Sequence, residues 1–151
     1  MKAFLLAAVC LLMVGCKSAK VPTAEDLFND EAKVGRVSPA DYGWVPLTVS
    51  VDRRAGTTST LFGNPEAVKD VRNGQQYEEN AALKLVTWRQ REDPHWFGGR
   101  IPGEVLSEEV VWYGYGGRGY SRLVGNPLVE VSRDDPARAD AIAAMKAARL
   151  P

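Results

Sequence analysis

An unbroken apolar run over residues 3–14 follows the single charge of Lys2 and ends in Gly15 and Cys16. No other feature constrains the fold as much, because this one stretch holds both cysteines of the chain. A charged start, a short apolar core and a small-residue exit make a secretory signal; a spanning helix needs about 20 apolar residues. The polar "KSAKVPTAED" that follows bars any extension of the run. Cys10 lies inside it and leaves with the signal, and Cys16 stands at the exit. The folded part must therefore be held by its core, without a disulfide. A thiol nucleophile, a Cys-based zinc site and a covalently attached c-type haem are excluded with it.

The exit, "MVGC", resembles the bacterial lipoprotein box, in which cleavage precedes a cysteine that carries a diacylglycerol thioether and palmitate. The resemblance implies a lipid anchor on Cys16, a signal over residues 1–15 and a tether over 16–22. Lys17 after the cysteine, where Asp would signal retention, resembles the outer-membrane default, facing the periplasm. One domain then occupies residues 23–151, a size that buries a core comfortably. Loss of Lys2 leaves eighteen basic residues against nineteen acidic ones, and there is no basic run. Nucleic acid is thus not an expected partner. Membrane attachment falls to the lipid, not to a polybasic face.

Periodicity organises the rest. Residues 23–35 read as a helix, with Thr23 as cap, Glu25 and Asp26 in the first turn and Gly35 as stop. Val45, Leu47, Val49 and Val51 alternate with polar neighbours, the pattern of a half-buried strand, and Pro46 places it at an edge. "TTSTLF" gives a second strand after a turn over residues 53–56. "GNPEAVKDVRNG" gives a helix with Asn64 as cap, Pro65 first and Gly74 after the end. "ALKLVTWRQ", apolar on both faces, is expected to be central, and "EVLSEEVVWY" and "GYSRLVG" supply two further strands. A last helix starts at Asp135 and Pro136 and turns Ile142 and Met145 to one side. The expected fold is α+β: a mainly antiparallel sheet of about five strands packed with two to three helices.

Several motifs carry less chemistry than their letters suggest. "GYGGRG" at 114–119 fits a dinucleotide fingerprint, but strand and turn follow it, not the helix that would meet the phosphates. It reads as a hairpin loop. Trp112 and Tyr113 point to opposite faces of a strand, so one of them belongs to the core; Arg118 nearby is placed for a cation–π contact. Glu108 and Glu109 diverge for the same reason and cannot act as an acid/base pair. Glu78, Glu79, Asp134 and Asp135 fall at turns or caps. "FGNPE" and "VGNPL" repeat turn chemistry. His95, the only histidine, lies in "REDPHWFGGRIPG" with no second imidazole to complete a metal site. A loop role for it is favoured.

"DYGWVPLTVSVD", then the run from "FGNPEAVKDV" through "LVTWRQREDPHWFGGRIPG", then "EEVVWY", resemble the cytochrome P-460 domain family over residues 41–113. The most specific part runs from Thr87-Trp88 to Gly103. The resemblance implies an antiparallel sheet packed with helices in an exported bacterial protein. It also implies that the aromatics of the "DPHWFGGRIPG" loop close one end of the sheet. Family members bind haem through Cys-x-x-Cys-His near the C-terminus and cross-link it to a strand lysine. Lys84 lies in the comparable strand, but "GNPLVEVSRDDPARADAIAAMKAARLP" has neither Cys nor His, so haem attachment is not carried over.

The expected function is a haem-less, non-enzymatic binding or envelope-associated module. The alternative is a redox or ligand-sensing module that binds haem without a covalent bond. There His95 would be the axial ligand, with Trp88, Trp96 and Phe97 as walls and Arg100 on a propionate. An enzyme built on carboxylates is the remote third.

Overall fold

The computed structural model describes residues 29–32 and 43–146. Six strands follow one another as a meander: β1 (Val45–Asp52), β2 (Thr57–Gly63), β3 (Ala82–Glu92), β4 (Arg100–Gly114), β5 (Gly117–Val124) and β6 (Val129–Ser132). Each is antiparallel to the next, in the spatial order β1-β2-β3-β4-β5-β6. Helix α1 (Pro65–Asn73) connects β2 to β3, and α2 (Pro136–Ala143) follows β6. The fold is α+β, as the periodicity predicts. The sixth strand is the addition: "VEVS" is four residues long and exposed, too short for an alternation signal.

Period-two alternation sorts the side chains onto two faces. Leu61, Leu83, Leu85, Val111 and Tyr120 form one core with Ala67 and Val68 of α1 and Ala139 and Ile142 of α2. On the other face, Phe62, Val86 and Trp88 form a smaller cluster against Trp44 and Val105. β3 supplies both faces and sits inside the sheet, as its apolar composition demands.

β1 corrects a simple reading of its alternation. The register slips between Pro46 and Thr48, so the strand changes phase there. Leu47 joins the helix-covered core, while Val49 and Val51 turn to the open face and stay more than half exposed.

The caps of α1 match the sequence reading. Asn64 Oδ1 accepts from Ala67 N at 3.0 Å and from Ala82 N at 2.9 Å, so one side chain starts the helix and moors it to β3. Gly74 ends it at φ 68°, where a side chain would be strained. Asp135 caps α2 by accepting from Arg138 N at 2.9 Å. The two "GNP" elements part ways: the first opens α1, and the second forms a turn with a cis Asn126-Pro127 bond. Most of the helix expected over 23–35 lies outside the described residues; the described part, Asp30–Ala32, is a 3₁₀ turn.

Candidate functional site

The end of the sheet that carries the β4–β5 hairpin holds a groove of about 530 Å³. Its walls are the end of α1, the loop behind it and the second half of α2 with the residues that follow it. Beyond Gly74 the chain folds back: Gln75 N donates to Asp70 O at 2.9 Å, and Glu78 N donates to the buried Asp70 carboxylate at 3.0 Å. This return sets Tyr77 against Tyr113 of β4, with ring centroids 5.6 Å apart and planes inclined at 37°. Two backbone bonds hold the strand end: Asn80 N to Tyr113 O and Tyr113 N to Ala81 O, each 2.9 Å.

Arg118 stands opposite Tyr113 in the β4–β5 register. Its guanidinium pairs with Asp140 of α2 and donates to Pro136 O at 3.2 Å. Gln75, Gln76, Met145 and Lys146 complete the rim. Burial raises the hydroxyl pKa of both tyrosines. The neighbouring Tyr113 and Asp70 add to the effect at Tyr77, and Arg118 opposes it at Tyr113. Hydrogen bonding from Arg118 holds the Asp140 carboxyl below its ordinary value. At neutral pH the groove thus presents two protonated phenols, a guanidinium and a carboxylate. It can donate, accept and stack.

Compared with protein-family models and with curated proteins, the chain matches none.

A second polar cluster lies under α2. Glu109, almost wholly buried on β4, accepts from Tyr120 Oη at 2.7 Å and from Arg138 Nε and Nη2 at 2.8 and 2.7 Å. Burial pushes its carboxyl pKa up, but the bonds from Arg138 and Tyr120, with the charges of Arg138 and Arg122, win and hold it below the ordinary value. Three donors leave this carboxylate little capacity to act as a base. Glu108, one residue earlier, faces the other side and pairs with Lys84 at 3.7 Å. The divergence expected of adjacent strand residues is what keeps these acids apart.

The residues singled out in the sequence scatter. Cys16 lies outside the described residues. The loop between β3 and β4 shrinks to residues 93–99, because the flanking "RE" and "RIPG" are already strand. His95 is exposed, and its backbone N–H donates to Asp93 Oδ1 at 2.8 Å. Trp96 is 69% exposed and Phe97 fully so, which overturns the expectation that these aromatics close the sheet. Trp88, by contrast, is 2% exposed inside the smaller cluster, so it cannot wall a pocket with them. Arg100 pairs with Glu92 at 3.7 Å on the surface. Lys84 turns to the face away from the helices, its Nζ 5.6 Å from the centroid of the Trp44 ring. That is the cation–π contact the structure records, where the sequence pointed to Arg118. These residues do not fit a haem: the imidazole projects into solvent, and the proposed walls are divided between core and surface. Among the described residues no three His, Cys, Asp or Glu side chains gather as a metal site requires.

Tyr77 and Asp140 are the residues that sequence reading passed over. Tyr77 follows a helix stop and Asp140 sits in a capped helix, so each had a local explanation. Their meeting depends on how two helices dock on one sheet.

Proposed function

We propose that this chain is a bacterial lipoprotein, held by an acylated Cys16 at the periplasmic side of the outer membrane. Its domain, a haem-less relative of the P-460 fold, serves as a non-enzymatic binding module. The signal-like N-terminus supports the export and the anchor. The antiparallel sheet with helices on one face is the architecture that the P-460 resemblance implies, and so supports it. The observation that carries the binding role is the groove between Tyr77, Tyr113, Arg118 and Asp140. Its volume falls in the range of small-molecule sites, about 300–1,000 Å³. Tilted phenol rings beside an ion pair and two glutamine amides suit a ligand with a flat apolar face edged by hydroxyls or amides. In the periplasm that chemistry belongs to saccharides, including the glycan of the cell wall.

Two measurements test this reading. Mass spectrometry of the protein from membranes is expected to find Cys16 diacylated, and Cys16→Ser is expected to release the chain to the soluble fraction. Titration with N-acetylglucosamine oligomers, followed by NMR, is expected to shift resonances of Tyr77, Tyr113 and Arg118, and Arg118→Ala is expected to abolish the shift. An unmodified Cys16 would refute the anchor, and a flat titration would refute the saccharide role of the groove.

A further inference from the structure

The loop at residues 93–99 spends apolar surface on solvent in a way that the fold does not require. Trp96 and Phe97, adjacent at its tip, are 69% and 109% exposed, whereas Trp88, on β3 before the loop, is buried. The loop is nevertheless well ordered by its own bonds. Asp93 N donates to Gly99 O at 3.1 Å, Gly99 N donates to Trp96 O at 2.8 Å, and Asp93 Oδ1 accepts from His95 N. Gly98 takes φ 76°, and a Cβ on Gly99 would lie 3.0 Å from Trp96 O. A built turn that holds two large aromatics outward is a presentation device, unlike an apolar residue stranded in a floppy segment.

The same loop is moored to the chain segment that comes from the lipid site. Asn29 Nδ2 donates to Asp93 Oδ2, and Arg91 Nη2 donates to Glu31 O and to Glu31 Oε2, each at 2.7 Å. Twelve residues separate Asn29 from Cys16. Fully extended they reach at most roughly 45 Å, so an anchor at Cys16 can lie no farther than that from the loop's flank. Trp and Phe side chains settle at the boundary between headgroups and hydrocarbon, where a large ring loses water without losing its polar neighbours. Local charge is mixed, with Arg91 and Arg100 countered by Glu31 and Glu92. Aromatic insertion, not attraction to anionic lipid, is therefore the driving term.

We propose that Trp96 and Phe97 form a second membrane contact, inserting into the lipid interface and orienting the domain so that its other end, with the Tyr115 hairpin, points away from the bilayer. The inference rests on the lipoprotein reading for its geometry, and one experiment separates the two. Full-length lipidated protein carrying His95→Cys with a spin label is reconstituted in phosphatidylethanolamine–phosphatidylglycerol vesicles. Its collisions with oxygen, concentrated in lipid, and with a nickel chelate, confined to water, are compared with those of a label at Tyr115→Cys. The loop label is expected to gain oxygen collisions and lose nickel collisions, and the hairpin label to behave as if in water. Adding Trp96→Ser and Phe97→Ser is expected to return the loop label to water, while circular dichroism stays unchanged. A loop label as open to nickel as the hairpin label overturns the proposal, and so does one shielded from both reagents, which would report contact with another copy. If mass spectrometry finds Cys16 unmodified, the lipoprotein reading fails by itself. The label is then read in a Cys10→Ala, Cys16→Ser chain added to the same vesicles, where insertion upholds the loop contact and free access to nickel overturns it.

Discussion

Arg138 of α2 grips Glu109 of β4 through two parallel hydrogen bonds, from Nε to Oε2 at 2.8 Å and from Nη2 to Oε1 at 2.7 Å. The pair joins residues 29 apart in sequence and fastens the last helix to the middle of the sheet. A forked guanidinium on a carboxylate fixes direction as well as distance, which a single apolar contact cannot do.

Breaking this grip is expected to destabilise the domain. Removing one partner of a fully buried pair costs about 3–5 kcal/mol. The Arg138 side chain is 44% exposed, so water can partly replace it, whereas the Glu109 side chain is 3% exposed. Arg138→Ala is therefore expected to cost ~1–3 kcal/mol in urea denaturation after discounting for solvent. An Arg138→Ala chain as stable as the parent would show the pair to be ornamental.

Acid should act through the same carboxylate. The pKa of Glu109 is lower in the folded state than its ordinary value of 4.5. Its stabilising contribution is complete above that value and is lost as pH falls through the lowered one. At the alkaline end, burial first and then Glu109 push the Tyr120 hydroxyl from 10.0 up to about 12. That contribution is complete below pH 10 and is lost as pH rises towards 12. Denaturation midpoints measured across pH are expected to fall at both ends, and Tyr120→Phe is expected to flatten the alkaline limb.

Trp88 and Trp96 should behave oppositely. Trp88→Ala empties a site packed by Phe62 and Val86 and is expected to cost about 3–5 kcal/mol. Trp96→Ala removes an exposed ring and is expected to stay within about 0.5 kcal/mol of the parent. Thermal denaturation of the two variants side by side checks the contrast.

Gly119 lies beneath the Trp112 ring. A Cβ there would come within 2.2 Å of Trp112 Cε2, so Gly119→Ala must lift the indole off the strand. Overfilled contacts cost about 1–3 kcal/mol, and Trp112 is already 43% exposed, so the lower end is expected. A rise in Trp112 exposure to an aqueous fluorescence quencher would accompany it.

Local chemistry was legible from the residues alone. Asn64, Pro65 and Gly74 bound α1, Asp135 and Pro136 start α2, and the strand-like runs of β2 to β5, with β3 apolar on both faces, announce an antiparallel sheet with β3 inside. Each of these signals acts within a few residues of itself, through a cap bond, a fixed φ or a side-chain period. The separation of Glu108 from Glu109 follows from the pleat in the same way.

What tertiary structure alone decided depends on contacts between distant segments. A slip of register in β1 moved Val49 and Val51 to the open face, and no local pattern marks that slip. Tyr77, Tyr113, Arg118 and Asp140 became a groove only when two helices docked on one end of the sheet. The signature "DPHWFGGRIPG" looked like packing material, yet Trp96 and Phe97 project into solvent. An aromatic side chain favours any place that removes it from water. The sequence states that preference, but whether the core or an outside surface satisfies it is set by where the turn leaves the sheet.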